Sequence, residues 1–360
     1  MTWSFVVDGQ LIHAIYVYSE PCDTDEGTIY VPRAAAESGV EGLACVDDVA
    51  RAAVLALRAY DEYREPPLAD LARQWLSFVR YMQLADGRFV NFVLDGGGQR
   101  NLTGATSHPG GAWWTARALW ALATAYRVLG DTTALEALSR CPLPDPAGLG
   151  DLKISAVLTL AGIEVLRSDA PANVRTQWED HIVRWCDSMA AAAANRPSVP
   201  DTLGSSVVAL WGYHQLHALA SATTYLGTTA YLPTAAATVV GLVRPVLSGN
   251  FYYAYPGDKA NQCAYCVSPL VQGLAQLYRA TGDNDYRLLA LDASEWFYGT
   301  NDAGAVMYDP ASGRCFDGLT GTQVSRNCGA ESAIEAGFAE LDRHQLDHPS
   351  TTPRSTLVVS

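Results

Sequence analysis

The chain has 360 residues, 49% of them apolar, and carries a formal net charge of −14. Half-apolar composition at this length supports a large buried core and argues against disorder. The acidity excludes nucleic acid and an anionic membrane surface as partners, because both require basic patches.

No segment approaches the length of a membrane span. The first residues, MTWSFVVDGQLIHAIYVYSE, have no basic start and only a short apolar run, so the expected location is cytoplasmic. The eight cysteines are scattered, and only Cys263 and Cys266 form a C-x-x-C. With no second pair to complete a zinc site, buried free thiols are expected, with neither metal nor organic cofactor.

Along the chain, helical spacing of apolar residues predicts helices over 47–63, 67–84, 112–129, 132–140, 150–168, 172–195, 203–225, 229–248, 264–281, 284–299 and 329–343. Pro66-Pro67 opens the second, Thr133 with Glu136 forms a capping-box pattern, and Asp283 precedes another start. Strand-like runs are short: IYVYS near the start, RFVNFVL at 88–94, NFYYAY at 250–255 and AVMYD at 305–309. LATAYRVLGD (122–131) and LAQLYRATGD (274–283) repeat one pattern, in which a Gly ends one helix and an Asp begins the next. The copies lie about 150 residues apart, roughly three helical hairpins of ~50 residues.

Paired helices of this number predict an all-α (α/α)6 toroid, with short β-hairpins in the loops of its active face. An extended segment (1–43) would pack on the toroid (44–345), and a polar tail (346–360) would follow. The sixth outer helix is not evident in HPSTTPRSTLVVS. The unusual residues precede odd-numbered helices: VDD, SHPGGAWW and RNCGAESAIEA. If odd helices line the ring, their N-termini share one concave mouth.

Asp47 and Asp48 have two readings. Asp47 can cap the helix, with Arg51 as ion-pair partner, or one of the two faces the mouth as a base. Glu331 stands just outside a helix if Ser332 and Glu335 form a capping box, or in its first turn if Asn327 is the cap. Asp86, Arg88 and Asn91, in ADGRFVNF, read as a tight turn entering a hairpin that shapes the mouth. Sugars stack on aromatic rings and need polar groups around them. His108, Trp113, Trp114, Tyr308, Asp317 and the cluster Phe251, Tyr252, Tyr253, Tyr255 are therefore candidate contacts, whereas Trp120 and Trp211 read as core. His214 and His217, placed mid-helix, read as packing. No G-x-S-x-G, P-loop, G-x-G-x-x-G after a strand, or D-D-x-x-D occurs.

ADGRFVNF, the stretch EWFYGTNDAGAVMYDPASGRCFDGLTG and RNCGAESAIEA make the chain resemble (α/α)6-toroid carbohydrate-active proteins. More narrowly it resembles an uncharacterised bacterial group found alone or joined to glycosyltransferases, which implies a glycosyltransferase as a partner. There an acidic pair followed by A-R-A opens the toroid and G-A-E-S-T opens its last helix; here Ala333 replaces the Thr. A looser likeness to glycoside hydrolase family 9 implies Asp47 or Asp48 as base and Glu331 as acid on a carbohydrate. Asp48, ahead of Asp47, is the expected base; an inverting pair would stand ~6.5–9.5 Å apart, whereas ~5 Å would imply retention. The alternatives are a non-catalytic glycan-binding toroid, a sugar epimerase and a polysaccharide lyase.

Overall fold

The computed structural model describes residues 2–36, 39, 41–145, 148–249, 252–255 and 261–348. Two antiparallel hairpins come first: β1 (Thr2–Val7) with β2 (Gln10–Ile15), then β3 (Tyr18–Thr24) with β4 (Gly27–Arg33). Asp8 and Gly9 both take positive φ in the first turn, the geometry that matches the twist of the flanking strands. The predicted strand IYVYS straddles the break between these hairpins.

A two-stranded pair, β5 (Ala44–Cys45) with β6 (Phe92–Val93), brackets α1 (Val46–Tyr63) and α2 (Pro66–Tyr81). Then follow α3 (Ala112–Leu129), α4 (Thr132–Arg140), α5 (Leu152–Leu166), α6 (Ala172–Ala192) and α7 (Gln215–Tyr225). An outer helix is built from α8 (Leu232–Thr238), a π-turn at Val239–Val243 and α9 (Arg244–Gly249). After β7 (Asn261–Cys263) come α10 (Ala264–Thr281) and α11 (Asn284–Ser294). Short strands β8 (Tyr308–Asp309), β9 (Arg314–Cys315), β10 (Gly318–Thr320) and β11 (Gln323–Ser325) precede α12 (Ala330–Asp347).

Inner helices α1, α3, α5, α7, α10 and α12 each touch the next, and α12 touches α1, so the ring closes. Their partners α2, α4, α6, α8–α9 and α11 stand outside. This is an (α/α)6 toroid, and among the described residues no helix fills the sixth outer position. The two ring positions predict the local sequence. Inner α5, LKISAVLTLAGIEVL, is apolar all round because it is covered on every side. Gly162 lets it approach α6: a Cβ there would stand 2.8 Å from Ile182 and Trp178. The L-A-x-x-Y-R-x-x-G-D repeat behaves as expected, with Gly130 and Gly282 left-handed and Asp131 and Asp283 capping the next helices.

Some expectations are corrected. Asp131, not Thr133, caps α4, because its carboxylate reaches the Thr133 and Ala134 amides. The helix expected over 203–225 begins only at Gln215, since Gly204 and Gly212 take positive φ. Leu232–Gly249 is long and apolar enough to cross a membrane by length and composition, with mean hydropathy 1.3, against the expectation of no such segment. From residue 349 on, the expected tail lies outside the described residues, as does Phe251.

The lumen is polar. Arg58, Gln272, Arg279 and Asp342 meet where α1, α10 and α12 converge. Asp342 is fully buried and accepts from Arg58 (2.9 and 3.0 Å) and Arg279 (2.8 Å). Burial alone would raise its carboxyl, but the two guanidiniums outweigh it and hold it below the usual range. Asp342→Ala leaves two arginines without their shared carboxylate and should cost about 3–5 kcal/mol in urea unfolding at pH 7. The stabilisation is present above the unfolded pKa and disappears as pH falls through the folded one. The gap to the wild type should therefore narrow below about pH 4.

Candidate active site

At the start of α1 the cap is Cys45, whose sulfur accepts from the Asp48 amide. Asp47 and Asp48 fall in the first turn, a correction to Asp47 as cap. Asn91 explains the shift: its Oδ1 accepts from the Asp47 amide (3.2 Å) and its Nδ2 donates to the Thr106 carbonyl (3.0 Å). At the start of α12 the cap is Gly329, and the Asp317 carboxylate takes the Gly329 amide and the Ser332 hydroxyl (3.1 Å). Glu331 is thus a first-turn acid, and neither Ser332 nor Asn327 caps the helix. Since α1 and α12 are ring neighbours, the three acids share one rim. They line a cavity of about 450 Å³ together with Trp113, Trp114 and Trp211. Trp113 and Trp211 meet edge to face at 5.6 Å.

Beneath the acids lies Arg51, 1% exposed. Its Nη2 donates to Asp48 Oδ1 (2.7 Å) and Glu331 Oε2 (3.1 Å), its Nη1 to Glu335 Oε1 (2.9 Å) and its Nε to the Asp47 carbonyl (3.2 Å). The face of Tyr265 covers the guanidinium at 4.7 Å. Arg117, equally buried, donates from Nε to Asp47 Oδ1 (3.1 Å).

Four carboxylates therefore surround two guanidiniums, so the upward push of burial on Glu331 and Asp48 is only partly offset. Burial pushes Glu331 up, Arg51 pulls it back, and Asp48, Asp47 and Glu335 push it up again, to about 7. Asp48 rises to about 6 by burial, against Arg51 and with Asp47. Such a cluster shares protons rather than titrating residue by residue. Burial lowers Arg117 to about 10, while the surrounding acids hold Arg51 well above its ordinary value.

Of the candidate contacts, Asn91, Trp113, Trp114 and Asp317 reach this cavity. Three of them already serve the scaffold: Asn91 and Asp317 at the helix starts, and Trp114 by donating to the Phe89 carbonyl (2.9 Å). Asp86 and Arg88 do not reach it. They pair with each other at 2.7 Å on an exposed turn. His108 is exposed and packs on the edge of Trp114. Tyr308 lies in a different groove.

Trp211 is corrected in the opposite direction, from core to cavity wall, because the chain before α7 is not helical. Trp120 is buried, as expected. Tyr252 is buried and Tyr255 lines the cavity. Arg117 and Tyr265 went unnoticed in the sequence, and Glu335 was read only as a capping-box partner of Ser332. Arg117 is four residues after Trp113 and Glu335 four after Glu331, a spacing that puts each on the same helix face as its predecessor. His214 precedes α7 and is buried, with Trp120 and Tyr265 against it. The Cys263 and Cys266 sulfurs are free thiols 2.9 Å apart. Among the described residues no group of three or more His, Cys, Asp or Glu could hold a metal ion.

No protein-family model matches the chain, and no curated relative matches its sequence. Solved structures do. A sugar epimerase from a ruminal bacterium superposes with a TM-score of 0.63 at 14% identity, covering 86% of this chain and 89% of the other. A cellobiose 2-epimerase from Spirochaeta thermophila gives 0.61 at 15%, covering 84% and 86%. A glycoside hydrolase family 9 endoglucanase gives 0.54 at 14%, covering 83% and 72%. At these identities the likeness is one of fold, the (α/α)6 toroid shared by carbohydrate-active proteins.

Removing Arg51 would strand three buried or half-buried carboxylates. Arg51→Met should cost about 3–5 kcal/mol in urea unfolding. Adding Glu335→Leu, which removes the most deeply buried of the three, should recover part of the loss. An Arg51→Met variant as stable as the wild type would rule out this cluster as the closure of the ring.

Proposed function

We propose that this protein is a glycoside hydrolase acting on a neutral oligosaccharide or polysaccharide, with Glu331 as the acid and Asp47 as the base. The observation that carries the reading is Glu331 itself. Its carboxyl lines the cavity, its side chain is 30% exposed, and it is pushed up to about 7. A carboxyl half-protonated at neutral pH can protonate a departing glycosidic oxygen.

Asp47 lines the same cavity with its side chain 21% exposed, paired to Arg117. From there it would activate a water on the opposite face of the sugar. Asp48, preferred over Asp47 as the base on sequence, is 6% exposed and bonded to Arg51. Its oxygen stands within about 6 Å of Glu331, through the Nη2 that both share. That is close to the ~5 Å of a retaining pair, but Arg51 Nη2 occupies the space between them, so neither a water nor a sugar carbon fits there. Its role is electrostatic: its negative charge helps keep Glu331 protonated. Trp113 and Trp211 supply stacking surfaces for the ring of the sugar.

Epimerisation and elimination are the rival chemistries on this fold, and epimerases stand among the structural neighbours. Two observations favour hydrolysis. Among the described residues no histidine lines the cavity, so an imidazole acid–base pair has no place at the sugar. The cavity's acids outnumber its one lining arginine, which suits a neutral sugar better than a uronate.

Purified protein incubated with a glycan panel should release new reducing ends from at least one neutral glycan. Glu331→Gln should lower kcat by about 10²–10⁴-fold. Unchanged kcat would remove Glu331 from the mechanism, and binding without turnover would make the protein a glycan-binding toroid. Activity should fall as pH rises through about 7, when Glu331 loses its proton.

The same shift has a signature in stability. The folded carboxyl holds its proton more tightly than the unfolded one, so its stabilising contribution is full below about 4.5 and lost as pH rises through about 7. Glu331→Gln should therefore raise Tm at pH 8, by roughly 1–2 °C per kcal/mol in a chain of this length, and leave it unchanged at pH 4.

A further inference from the structure

The structure holds a second concavity that this mechanism does not use. It measures about 440 Å³ and lies between the tip of the β3–β4 hairpin and the segment 306–316. Tyr30, Tyr308 and Phe316 provide aromatic surface, and Asp309, Arg314 and Arg326 provide charge. The Arg314 guanidinium lies over the Tyr30 ring at 5.1 Å, and its Nε donates to Ser312 Oγ at 3.2 Å. Among the described residues no carboxylate lies within 4.0 Å of it. Arg326 reaches Thr28 Oγ1 at 3.3 Å and Asp23 at 3.7 Å. Asp309 accepts from the Ala311 amide and the Ser312 hydroxyl.

We infer that this groove binds the part of the glycan chain that extends beyond the mouth cavity; the inference rests on the carbohydrate reading of that cavity. Continuity is the first argument. Consecutive residues Phe316 and Asp317 line the groove and the cavity respectively, so a single strand of chain separates the two. The β3–β4 hairpin spans both: Tyr18 lines the cavity, and Tyr30, paired with Pro21, lines the groove. Tyr18 and Pro21 are three positions apart along the strand, a step of roughly 10 Å. A linear oligosaccharide leaving the cavity would have about that distance to cover to reach the groove.

Chemistry is the second argument. Aromatic side chains match the C–H faces of sugars, while guanidinium and carboxylate groups offer donors and acceptors for their hydroxyls. The balance of charge differs from that of the mouth. Two arginines here replace the cluster of acids, which suits binding rather than proton transfer. An unstructured apolar peptide would leave Arg314, Arg326 and Asp309 without matching groups.

The test uses Tyr30→Ala/Arg314→Ala, whose residues lie outside the catalytic cluster, with Tm as the control for folding. For a long oligosaccharide KM should rise about 5- to 10-fold with kcat unchanged, the loss expected for an aromatic and a guanidinium contact. A short chromogenic glycoside should show no change. Calorimetric binding of long and short chains to Glu331→Gln, with and without the two groove substitutions, reads the groove independently of turnover. Tighter binding of the long chain that depends on Tyr30 and Arg314 supports the inference even if no substrate is hydrolysed. Equal affinity for long and short chains, or no loss in the double variant, overturns it and leaves the reading of the mouth untouched.

Discussion

One buried guanidinium organises this molecule. Arg51 sits where the first inner helix meets the last; its donors hold Asp48 on its own helix and reach across the seam to Glu331 and Glu335 on α12. A charge taken out of water at this depth is tolerated only when its partners are already in place. Ring closure therefore brings together the same groups that furnish the mouth with acids. The seam most in need of a bond, with no sixth outer helix behind it among the described residues, is the seam that holds the candidate chemistry.

The excess of acids over cations in this cluster follows from the same placement. Arg51 and Arg117 cannot neutralise Asp47, Asp48, Glu331 and Glu335 together, so they do not cancel the upward push of burial. Glu331 rises to about 7 and Asp48 to about 6. Deeper in the lumen, Phe338 stacks on Trp120 at 6.1 Å and separates this cluster from the arginines and Asp342 toward the other end of the ring. That second group is balanced differently, with two guanidiniums on one carboxylate, and its acid is lowered instead. Two ion clusters on the same pair of helices thus have opposite proton affinities, set by local charge count rather than by burial, which both share.

Much of this architecture was legible in the residues. The apolar period marked nearly every helix, and α3, α4 and α10 begin and end where the spacing put them. The G-D repeat located two hairpin turns because Gly130 and Gly282 supply a backbone conformation other residues resist. What the sequence did not show was how its site residues are held. Asn91, read as a sugar contact, lines the cavity and also orients the start of α1; Asp86 and Arg88, read as contacts, pair with each other on an exposed turn. Trp211 resembled core because a helix was assumed around it.

The sequence by itself determined the helical period, the turns and the identity of the acids before the odd-numbered helices. Those properties are local: side-chain spacing, left-handed glycines and capping groups act within a few residues. Only the tertiary structure decided which acid is buried, which is open and which holds a proton. Glu331 acquires its character from Arg51, about 280 residues away, and from two aspartates across the seam. Such proximity follows from closing the ring, where charges distant along the chain share one low-dielectric space.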